Sequence, residues 1–302
     1  MSAPRSHRAA LAAAIAVAAA LVPGIAAAAP ISAAPASTPR AAHGGVLTIS
    51  NGSPWVDMNG KWVDFHTDVR DLAWNPSGTR AVFVDGNGNL ETANANGTGR
   101  VIAVRHPAGT VFSHPTWETS PTKPAGYYPG NNIVFTAATR TSSQLEWVGV
   151  TAVNAKPSVF IAWNGSNWAY AGGNVSKDPE KKGSFAYDNT RTGDVYIEDV
   201  YLRGQVTSLG RGSEPSLSPN GEEVVFVRSV RGHDHLFEEN VTTGAARDLT
   251  PNTTTNYTEP TFSPDGTTIA FRAPNGTYTI PATGNHTPTR VSAATGLPAY
   301  RG

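Results

Sequence analysis

The sequence predicts an all-β fold, a six-bladed β-propeller closed by pairing of its N- and C-terminal strands. A strand–turn–strand phrase recurs along the chain, with its last two clear copies 45 residues apart, and no stretch after residue 45 carries a helical period. The 30 glycines and 23 prolines among 302 residues are scattered and not clustered in tracts, which fits many short strands joined by tight turns.

The elements follow in order. Residues 1–29 read as a secretory signal: Arg5, His7 and Arg8 precede a run of Ala, Leu, Ile and Val, with small residues Ala26–Ala28 at the expected cleavage site. The rival reading of that run is a retained membrane anchor, although it is rich in alanine and interrupted by Pro23-Gly24. Residues 30–45 are Ala, Pro, Ser and Thr with little bulk, and are expected to be a flexible tether. Residues 46–302 carry the repeat and are expected to form the propeller.

Glu214-Pro215-Ser216-Leu217-Ser218-Pro219-Asn220-Gly221, followed by Val224-Val225-Phe226-Val227, is the clearest copy. Glu259-Pro260-Thr261-Phe262-Ser263-Pro264-Asp265-Gly266 with Ile269-Ala270-Phe271 repeats it, and Asp71-Leu72-Ala73-Trp74-Asn75-Pro76-Ser77-Gly78 with Ala81-Val82-Phe83-Val84 anticipates it. Two looser copies lie between, one at His114-Pro115-Thr116-Trp117 with Ile133-Val134-Phe135, one at Phe185-Ala186-Tyr187 with Asp194-Val195-Tyr196-Ile197. The aromatic or Leu at Trp74, Trp117, Leu217 and Phe262 sits in a short strand. Pro then fixes φ, and Gly supplies the positive φ that a tight turn demands. The next strand is apolar on successive residues, as expected when both its faces are covered. Units are expected to begin near Asp68, Ser113, Asn164, Arg211 and Asn256. The sixth is split: residues 46–50, 54–58 and 61–65 supply three strands, and residues 295–300 supply the innermost. Joining the ends leaves no open sheet edge. A five-bladed ring with a loose N-terminal hairpin, or seven blades with one hidden in residues 136–184, are the alternatives.

The phrase Pro-x-(Trp/Phe/Leu)-Ser-Pro-(Asp/Asn)-Gly, then Ile/Val-Ala/Val-Phe, resembles the TolB-type, WD40-like propeller repeat. Residues 260–271 and 215–226 match it, whereas residues 72–83 carry Leu for Pro and Asn-Pro-Ser-Gly for Ser-Pro-Asp-Gly. The resemblance implies a scaffold for protein contacts in the cell envelope, without the N-terminal α/β domain of TolB itself.

Composition narrows the chemistry. With 23 basic and 23 acidic residues the chain has no charge bias toward nucleic acid. It has no cysteine, which excludes a lipoprotein anchor, disulfides and thiolate metal sites or nucleophiles. No Gly-x-Ser-x-Gly elbow occurs.

The candidate sites are few, and each has a plainer structural reading. His233 and His235 alternate around Asp234, so on a strand both imidazoles would face one side and could share a metal; a polar hairpin is the plainer reading. Trp163 and Trp168 could stack on a sugar or peptide, or simply pack between blades, and Tyr127 and Tyr128 sit in a Pro-rich insertion suited to surface contact. Asp85-Gly86-Asn87-Gly88-Asn89 begins like a calcium loop but has Leu90 at its sixth position, so it reads as a hairpin turn. Glu118, Glu214 and Glu259 recur beside inner strands, where they could line the channel or bond the neighbouring blade.

No catalytic residue and no cofactor is expected. The chain is read as a secreted or envelope-associated monomer, without stable membrane insertion once the signal is cleaved, that binds a protein or peptide. A secreted enzyme, lactonase-like or carbohydrate-active, with a polar or calcium site at the channel mouth is the alternative.

Overall fold

The structure is a computed structural model that describes residues 44–119, 131–159, 169–171, 184–199, 205–284 and 286–302. The proposed signal and nearly all of the tether lie outside the described residues. So do Tyr127, Tyr128, Trp163 and Trp168.

All regular structure among the described residues is β-strand. β1 (Val46–Ser50), β2 (Ser53–Met58), β3 (Lys61–Trp74), β4 (Arg80–Val84), β5 (Leu90–Asn94) and β6 (Val101–Val104) pair in succession. Four four-stranded antiparallel sheets follow. The first holds β7 (Val111–Thr119), β8 (Asn131–Ala138), β9 (Ser143–Gly149) and β10 (Ser158–Val159). The second holds β11 (Ala169–Ala171), β12 (Ser184–Asn189), β13 (Asp194–Asp199) and β14 (Gln205–Arg211). The third holds β15 (Ser213–Leu217), β16 (Glu223–Val230), β17 (His233–Asn240) and β18 (Ala246–Asp248). The fourth holds β19 (Thr258–Phe262), β20 (Thr268–Ala273), β21 (Gly276–Pro281) and β22 (Thr289–Ser292). Finally β23 (Leu297–Arg301) pairs antiparallel with β1 in the register Leu47↔Tyr300, making that sheet seven-stranded. The arrangement is all-β with propeller-like blades.

One element departs from the expected pattern. The strand expected over residues 61–65 does not stop before the first repeat; β3 runs on as one 14-residue strand. Its first part pairs with β2 up to Val69, and its last part pairs with β4 from Arg70. His66, at φ 57°, turns the chain within it without breaking it.

The apolar triplets do what their pattern demands. Val224 and Phe226 join Ala186, Val195 and Leu209 of the preceding sheet, while Val225 and Val227 join Phe262, Ile269 and Phe271 of the following one. Ala81 and Phe83 against Val82 and Val84 divide in the same way. Alternation across a strand therefore buries both faces of each second strand between two neighbours. Phe83, Phe135, Phe226 and Phe271 are all fully buried at this position.

The turn residues explain the repeated motif. Ser218 Oγ accepts from Glu223 N at 2.9 Å and donates to Asn220 Oδ1 at 2.6 Å. Ser263 repeats both bonds with Thr268 N and Asp265 Oδ1. In the deviating copy Asn75 Oδ1 accepts from Arg80 N at 3.0 Å, so a side-chain amide replaces the hydroxyl and the turn survives. The following glycines, Gly78, Gly221 and Gly266, all have φ between 64 and 72°. The aromatic position also ties together strands distant in sequence when it holds Trp. Trp117 Nε1 donates to Ala73 O at 3.1 Å, and Trp74 Nε1 donates to Thr48 Oγ1, which donates onward to Ala299 O.

Candidate functional site

Two regions gather polar side chains. The first lies where the inner strands converge. Asp71, His114, Glu214 and Glu259 occupy the same place in four repeats, and all four have φ between 49 and 55°. Each sits in a β-bulge: the registers shift between Arg70 and Ala73, Ser113 and Thr116, Ser213 and Ser216, and Thr258 and Thr261. A left-handed conformation at a non-glycine costs about 1–3 kcal/mol and persists only where the surroundings over-determine it. Here the bulge frees a backbone N–H, which a neighbouring sheet's carboxylate accepts. His114 N donates to Asp71 Oδ2 at 3.2 Å, Glu214 N to Asp188 Oδ2 at 2.9 Å, and Glu259 N to Glu214 Oε2 at 2.6 Å. His114 Nε2 meets Glu259 Oε1 at 3.2 Å and its Nδ1 lies 3.9 Å from Asp71 Oδ2, joining three sheets through one imidazole.

Burial sets the protonation of this cluster. Desolvation pushes Glu214 up to about 8, helped by the neighbouring Glu259 charge. Desolvation likewise raises Asp188 to about 7 despite the N–H bond from Glu214. For His114 burial works against the imidazolium, but the Glu259 and Asp71 carboxylates outweigh it and raise the pKa to about 9. Asp188 Oδ1 and Ser216 Oγ are buried with no hydrogen-bond partner among the described residues. The cavity beside these groups, lined also by Thr116, Thr261 and Leu297, is about 80 Å³. Ligand pockets usually exceed ~300 Å³, so this space suits a few waters and not a sugar or a peptide.

The second region is a pair of grooves on the face that carries the turns between second and third strands. One, about 480 Å³, is lined by Pro54, Trp55, Asp64, His66, Asp68 and Asn87 among others. The other, about 450 Å³, is lined by His233, Asn256, Tyr257, Asn275 and Tyr278 among others. They are built from equivalent parts: the start of a third strand (Trp55, His233), the approach to the next inner strand (Asp68, Asn256) and the next hairpin turn (Asn87, Asn275).

The sequence candidates divide among these places. Glu214 and Glu259 lie in the axial cluster and bond neighbouring sheets, but Glu118 does not: it accepts from Asn132 Nδ2 at 2.8 Å across its own β7–β8 pair. The place assigned to Glu118 belongs to His114, four residues earlier. Asp71, His114 and Asp188 were not singled out, although the first two stand beside the aligned Leu72 and Pro115 of the repeat. His233 and His235 lie on β17, not in a loop; His235 is buried with Nδ1 2.7 Å from Asp248 Oδ2, and His233 lines the second groove. Among the described residues no group of three His, Cys, Asp or Glu side chains is arranged to hold a metal ion. Asp85 caps a hairpin turn, accepting from Asn87 N and Asn89 N at 2.8 Å each.

No protein-family model matches the chain, and no curated protein matches it. Solved structures do. TolB from Acinetobacter baumannii superposes with a TM-score of 0.63 at 16% identity, over 85% of this chain and 66% of that one. This chain therefore spans just under two thirds of that protein's length. A nidogen/laminin complex chain gives 0.61 at 10% identity, covering 85% and 98% of the two chains. An oligogalacturonate lyase in complex with manganese gives 0.50 at 13% identity, covering 79% and 73%. These likenesses establish the fold shared with TolB-type propellers, and a common fold serves unrelated functions.

Proposed function

We propose that the chain is an exported, non-enzymatic propeller that binds a protein or peptide on the face bearing the two grooves. The ring has six blades: the seven-stranded sheet divides at β3 into two four-stranded blades, β23-β1-β2-β3 and β3-β4-β5-β6. Pairing of β1 with β23 closes it, a reading supported by their five-residue register and by the packing of β23 against both β3 and β19. Residues 1–29 act as the signal and 30–45 as the tether, and the mature protein is a monomer outside the cytoplasm.

The observation that carries the binding role is the contrast in space. The axial cluster has the perturbed carboxyls that mark many reaction centres. Yet Asp188 Oδ2, Glu214 Oε2 and Glu259 Oε1 are engaged in bonds between sheets, and its cavity is about 80 Å³. The grooves are about six times larger and open to solvent. TolB and the nidogen/laminin complex share this fold, which is compatible with a protein-binding role.

Selection of phage-displayed peptides on the immobilised protein tests the reading. Enriched peptides should bind and should be lost when Asn87→Arg or Asn275→Arg fills a groove. Failure of any peptide to enrich, or release of unsaturated uronides from added oligogalacturonate, would overturn it in favour of an enzyme.

A further inference from the structure

We infer that the groove beside Trp55 is a recognition site for an arginine or lysine side chain of a bound peptide; the inference rests on the peptide-binding reading above and assigns the site. Trp55 and Trp62 are 49% and 51% exposed, large apolar areas for a surface to leave uncovered. The β2–β3 register pairs Trp55 with Asp64 and Asp57 with Trp62. Side chains alternate along strands, so both indoles stand on one face of the hairpin and are diagonal neighbours.

The groove next to this pair is acidic. Asp64 and Asp68 line it, together with His66 and Asn87, and no lysine or arginine does. Asp64 is fixed by His66, whose N donates to Oδ1 at 2.7 Å and whose Nδ1 lies 3.0 Å from Oδ2. The guanidinium of Arg100 donates to His66 O nearby, but Glu91 already pairs with it at 2.7 Å. Asp68 is exposed and has no ion-pair or hydrogen-bond partner among the described residues. A carboxylate without a partner beside an exposed indole is the chemistry that holds a cation: charge pairing on one side, the ring's negative face on the other. The protein stacks guanidinium on aromatic rings elsewhere, with Arg301 5.3 Å from the Trp74 ring and Arg228 4.6 Å from that of Phe237. At about 480 Å³ the groove accommodates one long side chain with its flanking backbone.

Fluorescence anisotropy with a labelled acetyl-Gly-Arg-Gly-Arg-Gly-amide peptide, and its Glu-for-Arg counterpart, tests the assignment at low salt. The Arg peptide should bind and the Glu peptide should not, and affinity should fall as salt rises. Asp68→Lys should weaken binding at least tenfold and Trp55→Ala at least fivefold, with unfolding midpoints unchanged because both residues are exposed. Equal binding of the Glu peptide, or no loss in both variants, overturns the site. Display-selected peptides that bind, respond to Asn275→Arg and ignore Asp68→Lys would overturn this inference and leave the peptide-binding reading standing. Peptides insensitive to both would overturn the two together.

Discussion

The axis and the Trp55 groove are both lined by carboxylates, yet they are put to opposite use. At the axis Glu214, half-buried, and Asp188, buried, accept backbone N–H groups from the next repeat; in the groove Asp68 is exposed and accepts no hydrogen bond among the described residues. A polar group buried in a fold costs free energy unless it is bonded, so selection for a stable fold alone can explain the carboxylates that accept N–H groups at the axis. It does not explain a half-exposed indole lining a groove with an acid that has no partner among the described residues. The difference teaches that shifted acidity alone is a poor guide to function here, because the carboxyls furthest from their ordinary values are those holding blades together.

The largest separation between the two regions should appear with pH. Glu214, Asp188 and His114 are all raised in the fold, to about 8, 7 and 9. Each therefore binds its proton more tightly folded than unfolded, so its stabilisation is complete below its unfolded pKa and is lost as pH rises through the folded value. The unfolding midpoint should fall between about pH 5 and pH 9. Glu214→Gln should flatten the part of that fall below pH 8, and groove variants should leave it unchanged. A midpoint that rises over this range would break the comparison.

Next in size is Glu214→Ala. It leaves the Glu259 N–H without its acceptor at the axis, and should cost about 1–3 kcal/mol in urea unfolding at pH 6. Asp188→Asn keeps an oxygen for the Glu214 N–H and removes an ionisable group, so it should cost under about 1 kcal/mol at pH 6 and less still at pH 9. Smallest of all, Trp62→Ala should change stability by no more than about 0.5 kcal/mol, since half of the indole is in water. A loss of several kcal/mol there would make the indole a packing residue.

The fold was legible in the sequence because its units repeat. Pro and Gly at fixed offsets marked the turns, and the uninterrupted apolar triplets marked strands covered on both faces. The Asn75 copy shows why degenerate repeats still fold: the turn needs an acceptor at that place, and an amide oxygen serves. What could not be read was β3 running unbroken from its pairing with β2 to its pairing with β4, because a bulge at His66 has no sequence signature of its own. The axial ring was half visible. Glu214 and Glu259 were noted for their recurrence, but recurrence by residue type missed His114 and Asp71, which hold the same backbone place with different chemistry. Asp188 lies on β12, outside the repeated phrase, and only the folded chain brings it to the axis. The grooves are assembled from three segments each, so no single stretch of sequence announces them.

The proposed closure of the ring rests on the pairing of the first and last strands. Leu47 and Tyr300 face each other across the β1–β23 pair, and facing residues in such a pair have Cα atoms about 4.5–5.5 Å apart, within the span a disulfide bridges. The native chain has no cysteine, so a Leu47→Cys/Tyr300→Cys variant contains one possible bridge and no competitor. The closed ring predicts that the two thiols oxidise fully in the folded monomer and become unreactive to alkylation, with a higher unfolding midpoint than the reduced form. Two freely alkylated thiols in the oxidised, folded protein would contradict it.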